Sequence, residues 1–148
     1  MSTKPHRKNN PDAVRSRLLG CAAALIVDHG LSALTLETVA RDAEVSKGGL
    51  LHHYPSKEAL IAGLFEQVID WFDERVETHI APDETVPARF SRAYLQVIAS
   101  IDMSVPEEKR LAVLILMLSS DPQCLSRWNA WVDERLQQHR APDSHPFP

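Results

Sequence analysis

Cysteine is almost missing from this chain: Cys21 and Cys124 are the two present in 148 residues. They lie far apart and form no CxxC pair, which excludes a zinc knuckle. Each sits in an apolar stretch of helical period, where a small buried side chain and a redox-sensing thiol are the two available readings. Long hydrophobic runs are missing too. No stretch approaches the roughly 20 uncharged apolar residues that cross a bilayer, so no membrane partner is expected. The N-terminus, Met1 to Pro11, is polar and basic with no apolar core behind it. That pattern argues against a signal peptide and makes the cytoplasm the expected location. Strand-type alternation and internal repeats are absent. So are a Ser-His-Asp set, paired carboxylates at catalytic spacing and a metal-ligand cluster, so neither an enzyme nor a metal or cofactor site is expected.

What is present is ordinary for a folded soluble protein, with 44% hydrophobic and 24% charged residues. The length supports one real core and is short for two independent globular domains. A net charge of −4 conceals an asymmetry. Residues 1–57 hold eight Lys or Arg against five Asp or Glu, a net +3, and the remainder holds eight against fifteen, a net −7. A basic head on an acidic body suits an anion-binding module joined to a sensor, although charge also segregates by chance on solvated surfaces.

Along the chain every periodic segment is helical. Residues 1–11 read as a disordered basic arm carrying Lys4, Arg7 and Lys8. A first helix is predicted from about Asp12 to His29 on Val14, Leu18, Cys21 or Ala22, and Leu25, with Gly30 at a left-handed cap. Thr35 caps a short helix, Leu36 to Ala43. Glu44-Val45 turns the chain, and Ser46 caps a second short helix, Lys47 to about His53. Leu36, Val39, Ala40, Val45 and Leu50 would form the small core between them. Pro55 ends this unit, and Ser56 caps a long helix to about His79. Further helices are predicted from about Val86 to Ile101, after a Ser104–Glu107 capping box, and from Asp121-Pro122. The run Leu111 to Leu118 is apolar without interruption and is predicted to be buried all round, at the centre of the C-terminal part. Residues 141–148 read as a disordered tail. The expected class is all-α, with a three-helix head at 12–55 and a helical domain at 56–140.

The segment that carries chemistry runs from Thr35 to Leu60. Gly48 and Gly49 inside a helix start cost roughly 1 kcal/mol each relative to Ala, so a stabilising role is not their purpose. At that position they leave nothing between backbone and partner, so bases or phosphates can come close. Ser46, Lys47, His52, His53, Tyr54 and Lys57 surround this end with hydrogen-bond donors and little nearby acidic charge, which suits a phosphate backbone. The plainer readings are two surface histidines and a glycine loop. A metal pair at His52-His53 is a poor one, because adjacent helical residues face different ways.

Val14 to Phe65 closely resembles the DNA-binding domain of the tetracycline-repressor (TetR) family. The matching run is Gly30-Leu31, Thr35, Val39-Ala40, Val45-Ser46-Lys47-Gly48-Gly49-Leu50, His53-Tyr54 and Ser56-Lys57-Glu58-Ala59-Leu60. The resemblance implies that the helix Lys47–His53 enters the major groove of double-stranded DNA. It implies Lys47, Gly48 and Gly49 at base edges, and Thr35, His52, His53 and Lys57 at phosphates. Leu51-His52 stands where many members carry a Tyr pair, and Glu44 where a turn Gly is frequent. A left-handed Glu44 would store about 1–2 kcal/mol. The second half resembles the family's helical ligand and dimerisation domain loosely. Members usually continue for two more long helices, which build the dimer interface. This sequence ends in APDSHPFP, so an incomplete bundle with exposed apolar surface is expected.

The resemblance implies a ligand-responsive repressor acting as a homodimer on a palindromic operator. The alternative is a helical protein-interaction module without specific DNA binding. For an effector, Trp71, Phe72, Tyr94, Met103, Met117, Trp128 and Trp131 can line an apolar pocket, and each can equally be core.

Overall fold

The computed structural model describes residues 10–80, 82 and 88–140. Seven α-helices occur among them: α1 Pro11–His29, α2 Leu36–Asp42, α3 Lys47–His53, α4 Lys57–His79, α5 Arg89–Ser100, α6 Pro106–Leu118 and α7 Pro122–Gln138. No strand occurs among the described residues, as the sequence predicts. The predicted tail at 141–148 lies outside them. So does the predicted arm up to Asn9, while Asn10 and Pro11 belong to the first helix. The Asn10 side chain accepts from the Asp12 amide at 3.2 Å, and Pro11 stands in the first turn, where its missing N–H costs nothing.

The chain divides into two compact units, Met1–Leu64 and Phe65–Pro148, and the division falls inside α4. In the first, α1 buries Leu18, Leu19, Ala22 and Ile26, a stripe rotated from the predicted one, leaving Val14, Cys21 and Leu25 half-buried. Leu34, Val39, Ala40, Ala43, Leu50 and Tyr54 complete this core with Leu60, Ile61 and Leu64 of α4. Gly63 explains how closely α4 seats here. A Cβ at that position would lie 2.8 Å from Tyr54 Cε1 and 3.3 Å from Leu19 Cδ2. Gly30 ends α1 with φ 85° and ψ 165°, its N–H bonding Ile26 O at 2.8 Å. This is a positive-φ cap, as expected, but in the extended mirror region that glycine alone enters readily.

In the second unit α4 supplies the centre: Phe65, Val68, Phe72 and Val76. Against them lie Phe90, Ala93 and Val97 of α5, Leu114 and Leu118 of α6, and Cys124 and Trp131 of α7. Trp131 Nε1 donates to Asp73 Oδ1 at 3.1 Å, and Arg135 pairs with the other oxygen of the same carboxylate. Two predictions fail in this unit. The α6 helix is not buried all round: Leu116 is 67% exposed, and Leu111, Val113, Ile115 and Met117 are half-buried. A two-sided apolar helix needs neighbours on both sides, and the described residues cover one. The Ser104–Glu107 capping box does not form either. The helix starts one residue later, at Pro106, and Ser104 bonds Asp102 Oδ1 instead. The α7 helix starts at Asp121-Pro122 as predicted, and Asp121 caps it, accepting from Gln123 N and Cys124 N at 2.9 and 3.0 Å.

Candidate nucleic-acid interface and effector cavity

The turn between α2 and α3 is built by the backbone. Val45 N bonds Ala40 O at 2.9 Å and Glu44 N bonds Arg41 O at 3.1 Å. These are the two bonds of a Schellman motif, whose penultimate residue must be left-handed. Glu44 takes that position with φ 53°. Thr35 then caps α2 through Thr38 N at 3.1 Å, and Ser46 caps α3 through Gly49 N at 3.1 Å. Because Leu50 is buried, helical geometry fixes what α3 shows to solvent. Residues 48 and 52 lie nearly opposite position 50, with 47 and 51 at the flanks. Lys47, Gly48, Leu51 and His52 are the exposed members accordingly.

The predicted donors divide. Thr35, Ser46, Lys47, Gly48 and His52 are exposed, whereas Gly49, His53 and Lys57 are half-buried. His52 and His53 meet edge to face with ring centroids 5.5 Å apart. Lys57 Nζ reaches Leu31 O at 3.5 Å. Tyr54 leaves the exposed set. It is 4% exposed, and its hydroxyl accepts from Arg15 Nε at 3.0 Å, because its ring fills the space that Gly63 leaves open. Gly48 and Gly49 also differ. A Cβ at Gly48 meets nothing within 4 Å, whereas one at Gly49 lies 3.0 Å from Val45 Cγ1 and 3.1 Å from Ser46 Oγ.

The expected scarcity of acidic charge is corrected by Glu37. Lys47 Nζ donates to Glu37 Oε1 at 2.6 Å. That hydrogen bond, with the Glu37 amide and the Lys47 charge behind it, holds the Glu37 carboxyl below the usual carboxylate range. Sequence reading missed this residue, and also Arg17, which borders a shallow cleft of about 370 Å³ beside Ser46 and His52. The signal for Glu37 was its position in the first turn of α2, one capped helix before Lys47.

In the second unit a cavity of about 210 Å³ is lined by Phe65, Val68, Tyr94, Ile115, Leu118, Ser119, Cys124, Leu125 and Trp128. Among the described residues no charged side chain lines it. Of the seven pocket candidates, Tyr94 and Trp128 face it. Phe72 and Trp131 are buried core, Phe72 meeting Trp128 edge to face at 4.9 Å. Trp71 lies under the Arg75 guanidinium at 4.1 Å. Met117 is half-buried on α6 outside the lining, and Met103 is 55% exposed. Burial, with Asp121 nearby, pushes the Cys124 thiol up to about 11.

Fold and site together define an all-helical protein with a helix-turn-helix head and a helical second unit. The model for bacterial regulatory proteins of the tetR family matches residues 18–64, and that for the tetracyclin repressor-like C-terminal domain matches residues 88–146. The chain belongs to the tetR family. It is 26% identical over 136 residues to the HTH-type transcriptional repressor KstR2 of Mycolicibacterium smegmatis, covering 87% of this chain and 66% of that one. The Mycobacterium tuberculosis KstR2 is 38% identical over 61 residues, covering 41% of this chain and 30% of the relative. Among solved structures, the multidrug binding protein EbrR complexed with malachite green superposes with TM-score 0.64 at 19% identity, covering 88% of this chain and 71% of that one. The chain thus spans two thirds or less of these curated relatives. No described helix is long and apolar enough to cross a membrane.

Proposed function

We propose that this protein is a ligand-responsive transcriptional repressor that binds a two-fold symmetric operator as a homodimer. The observation that carries the reading is the outward face of α3. Gly48 and His52 lie opposite the buried Leu50 with Lys47 exposed at the flank, and a helix that holds one face in a core and offers the other to solvent, with a glycine at its centre, fits a major groove. Thr35, Ser46, His53 and Lys57 flank that face and are assigned to phosphates and sugars. Repression in place of activation follows the KstR2 relatives. The effector is assigned to the cavity between Tyr94 and Trp128. Its uncharged lining suits a neutral apolar molecule. Its volume of about 210 Å³ exceeds the roughly 150 Å³ that holds a benzene ring. A compound of one or two rings fits.

Mobility shift against salt on symmetric and random duplexes tests this. Lys57→Ala should weaken binding to both and lower the salt slope by about one, whereas Lys47→Ala should weaken the symmetric site preferentially. Equal losses for both variants on both duplexes would show the roles misassigned, and no shift at all would overturn the DNA reading.

A further inference from the structure

Glu37 and Lys47 stand on different helices, ten positions apart in sequence, and touch through a bond of 2.6 Å. Both side chains remain well exposed, at 65% and 62%. The Schellman turn at Glu44 fixes the two helices so that their first turns present this pair together. A lone ammonium here would be drawn to any phosphate. Paired with a carboxylate it forms a neutral donor–acceptor unit, and the carboxylate repels phosphates. Such a unit suits base edges, where donors and acceptors stand side by side.

The major-groove edge of a G·C pair presents guanine N7 and O6 as acceptors and then cytosine N4 as a donor. O6 and N4 are hydrogen-bonded to each other and so stand about 3 Å apart, close to the spacing of the ammonium and the carboxylate oxygen. A T·A pair also sets an acceptor beside a donor, but the thymine methyl occupies the place where guanine offers its second acceptor. Apart from its chain neighbours and the backbone of its own helix, no described atom lies within 4 Å of a Cβ at Gly48, so a base edge can approach that side of α3. We infer that Glu37 and Lys47 jointly read one G·C base pair in each half-site, Lys47 donating to guanine O6 and N7 and Glu37 accepting from cytosine N4. This rests on the reading of the head as DNA-binding, and it makes Glu37 a specificity residue.

The test is selection of bound duplexes from a random pool by the full chain, in wild type, Glu37→Ala and Glu37→Asp forms. The wild type should enrich an inverted repeat with a fixed G·C in each half. With Glu37→Ala the repeat persists, but that position relaxes, because Lys47 alone donates to any acceptor. On fixed duplexes its preference for G·C over T·A should fall about tenfold. Binding of Glu37→Ala to unrelated duplex should hold or tighten, since a negative charge has gone. Glu37→Asp, one methylene shorter, should fall between. Unchanged base preference in both variants, or a fixed T·A in the wild type, overturns the inference. So does a uniform loss on all duplexes with a lowered melting temperature. A wild type that enriches no symmetric sequence overturns the DNA reading itself.

Discussion

Gly48 and Gly49 are neighbours in the chain and differ in what a side chain would meet. At Gly48 the surrounding space is open, so Gly48→Ala gains helix propensity, up to about 1 kcal/mol. At Gly49 a methyl would press on Val45 Cγ1 at 3.0 Å and on Ser46 Oγ at 3.1 Å, disturbing a cap worth about 1 kcal/mol. Thermal melts should therefore show Gly48→Ala stabilised and Gly49→Ala unchanged or destabilised by up to about 1 kcal/mol. Gly48→Leu should remain folded and lose selective DNA binding. Equal stabilisation by both alanines would show that Gly49 is not held by Ser46. This division was not legible in the sequence, where both glycines carry the same local signal and only the Schellman turn brings Val45 over one of them. Tyr54 was misplaced for a similar reason. A tyrosine beside two histidines reads as a donor, and its burial depends on Gly63, nine residues on in another helix. Glu37 was passed over because its partner lies across the turn.

At the scale of elements, local chemistry foretold most of the starts. Thr35, Ser46, Ser56 and Asp121 each cap the helix they precede, since a cap needs only a short polar side chain and an amide three residues on. The α6 start failed because Pro106 overrides the capping box with a fixed φ of its own. The burial of α6 failed because an apolar run states what a helix prefers and not what is available to cover it. The α2–α3 turn gives a sharper test. Glu44 sits at φ 53°, where a side chain stores about 1–2 kcal/mol. Glu44→Gly removes that strain and adds unfolded-chain entropy of about 0.5–1 kcal/mol. A net gain of about 0.5–1 kcal/mol is expected, read as a rise of a few degrees in melting temperature. A lowered melting temperature would mean that the Glu44 carboxylate contributes more than its backbone costs.

At the scale of the whole molecule, a two-fold operator demands two heads about one turn of DNA apart, or a multiple of it, and something must hold them together. The head exposes one large apolar side chain among the described residues, Leu51. The second unit exposes Leu95, Ile98, Met103, Val105, Leu116, Leu125 and Leu136. Single exposed apolar side chains are normal, but seven of the eight among the described residues fall in the second unit, so a partner surface is to be sought there. The charge fits the proposed division of labour: the net +3 of residues 1–57 suits a contact with DNA, and the net −7 beyond does not. We therefore expect the chain to self-associate through the second unit at about tens of micromolar. Leu116, at 67% exposure, is the side chain to change. Burying one leucine contributes about 1.5 kcal/mol or more, and a two-fold interface counts each substitution twice. Leu116→Glu should then raise the dimer Kd by about a hundredfold or more, while the isolated melting transition of the head stays in place. Sedimentation equilibrium reads the first and circular dichroism the second. A monodisperse wild-type monomer that still binds a palindrome more tightly than a single half-site would refute this account of how the two heads are joined.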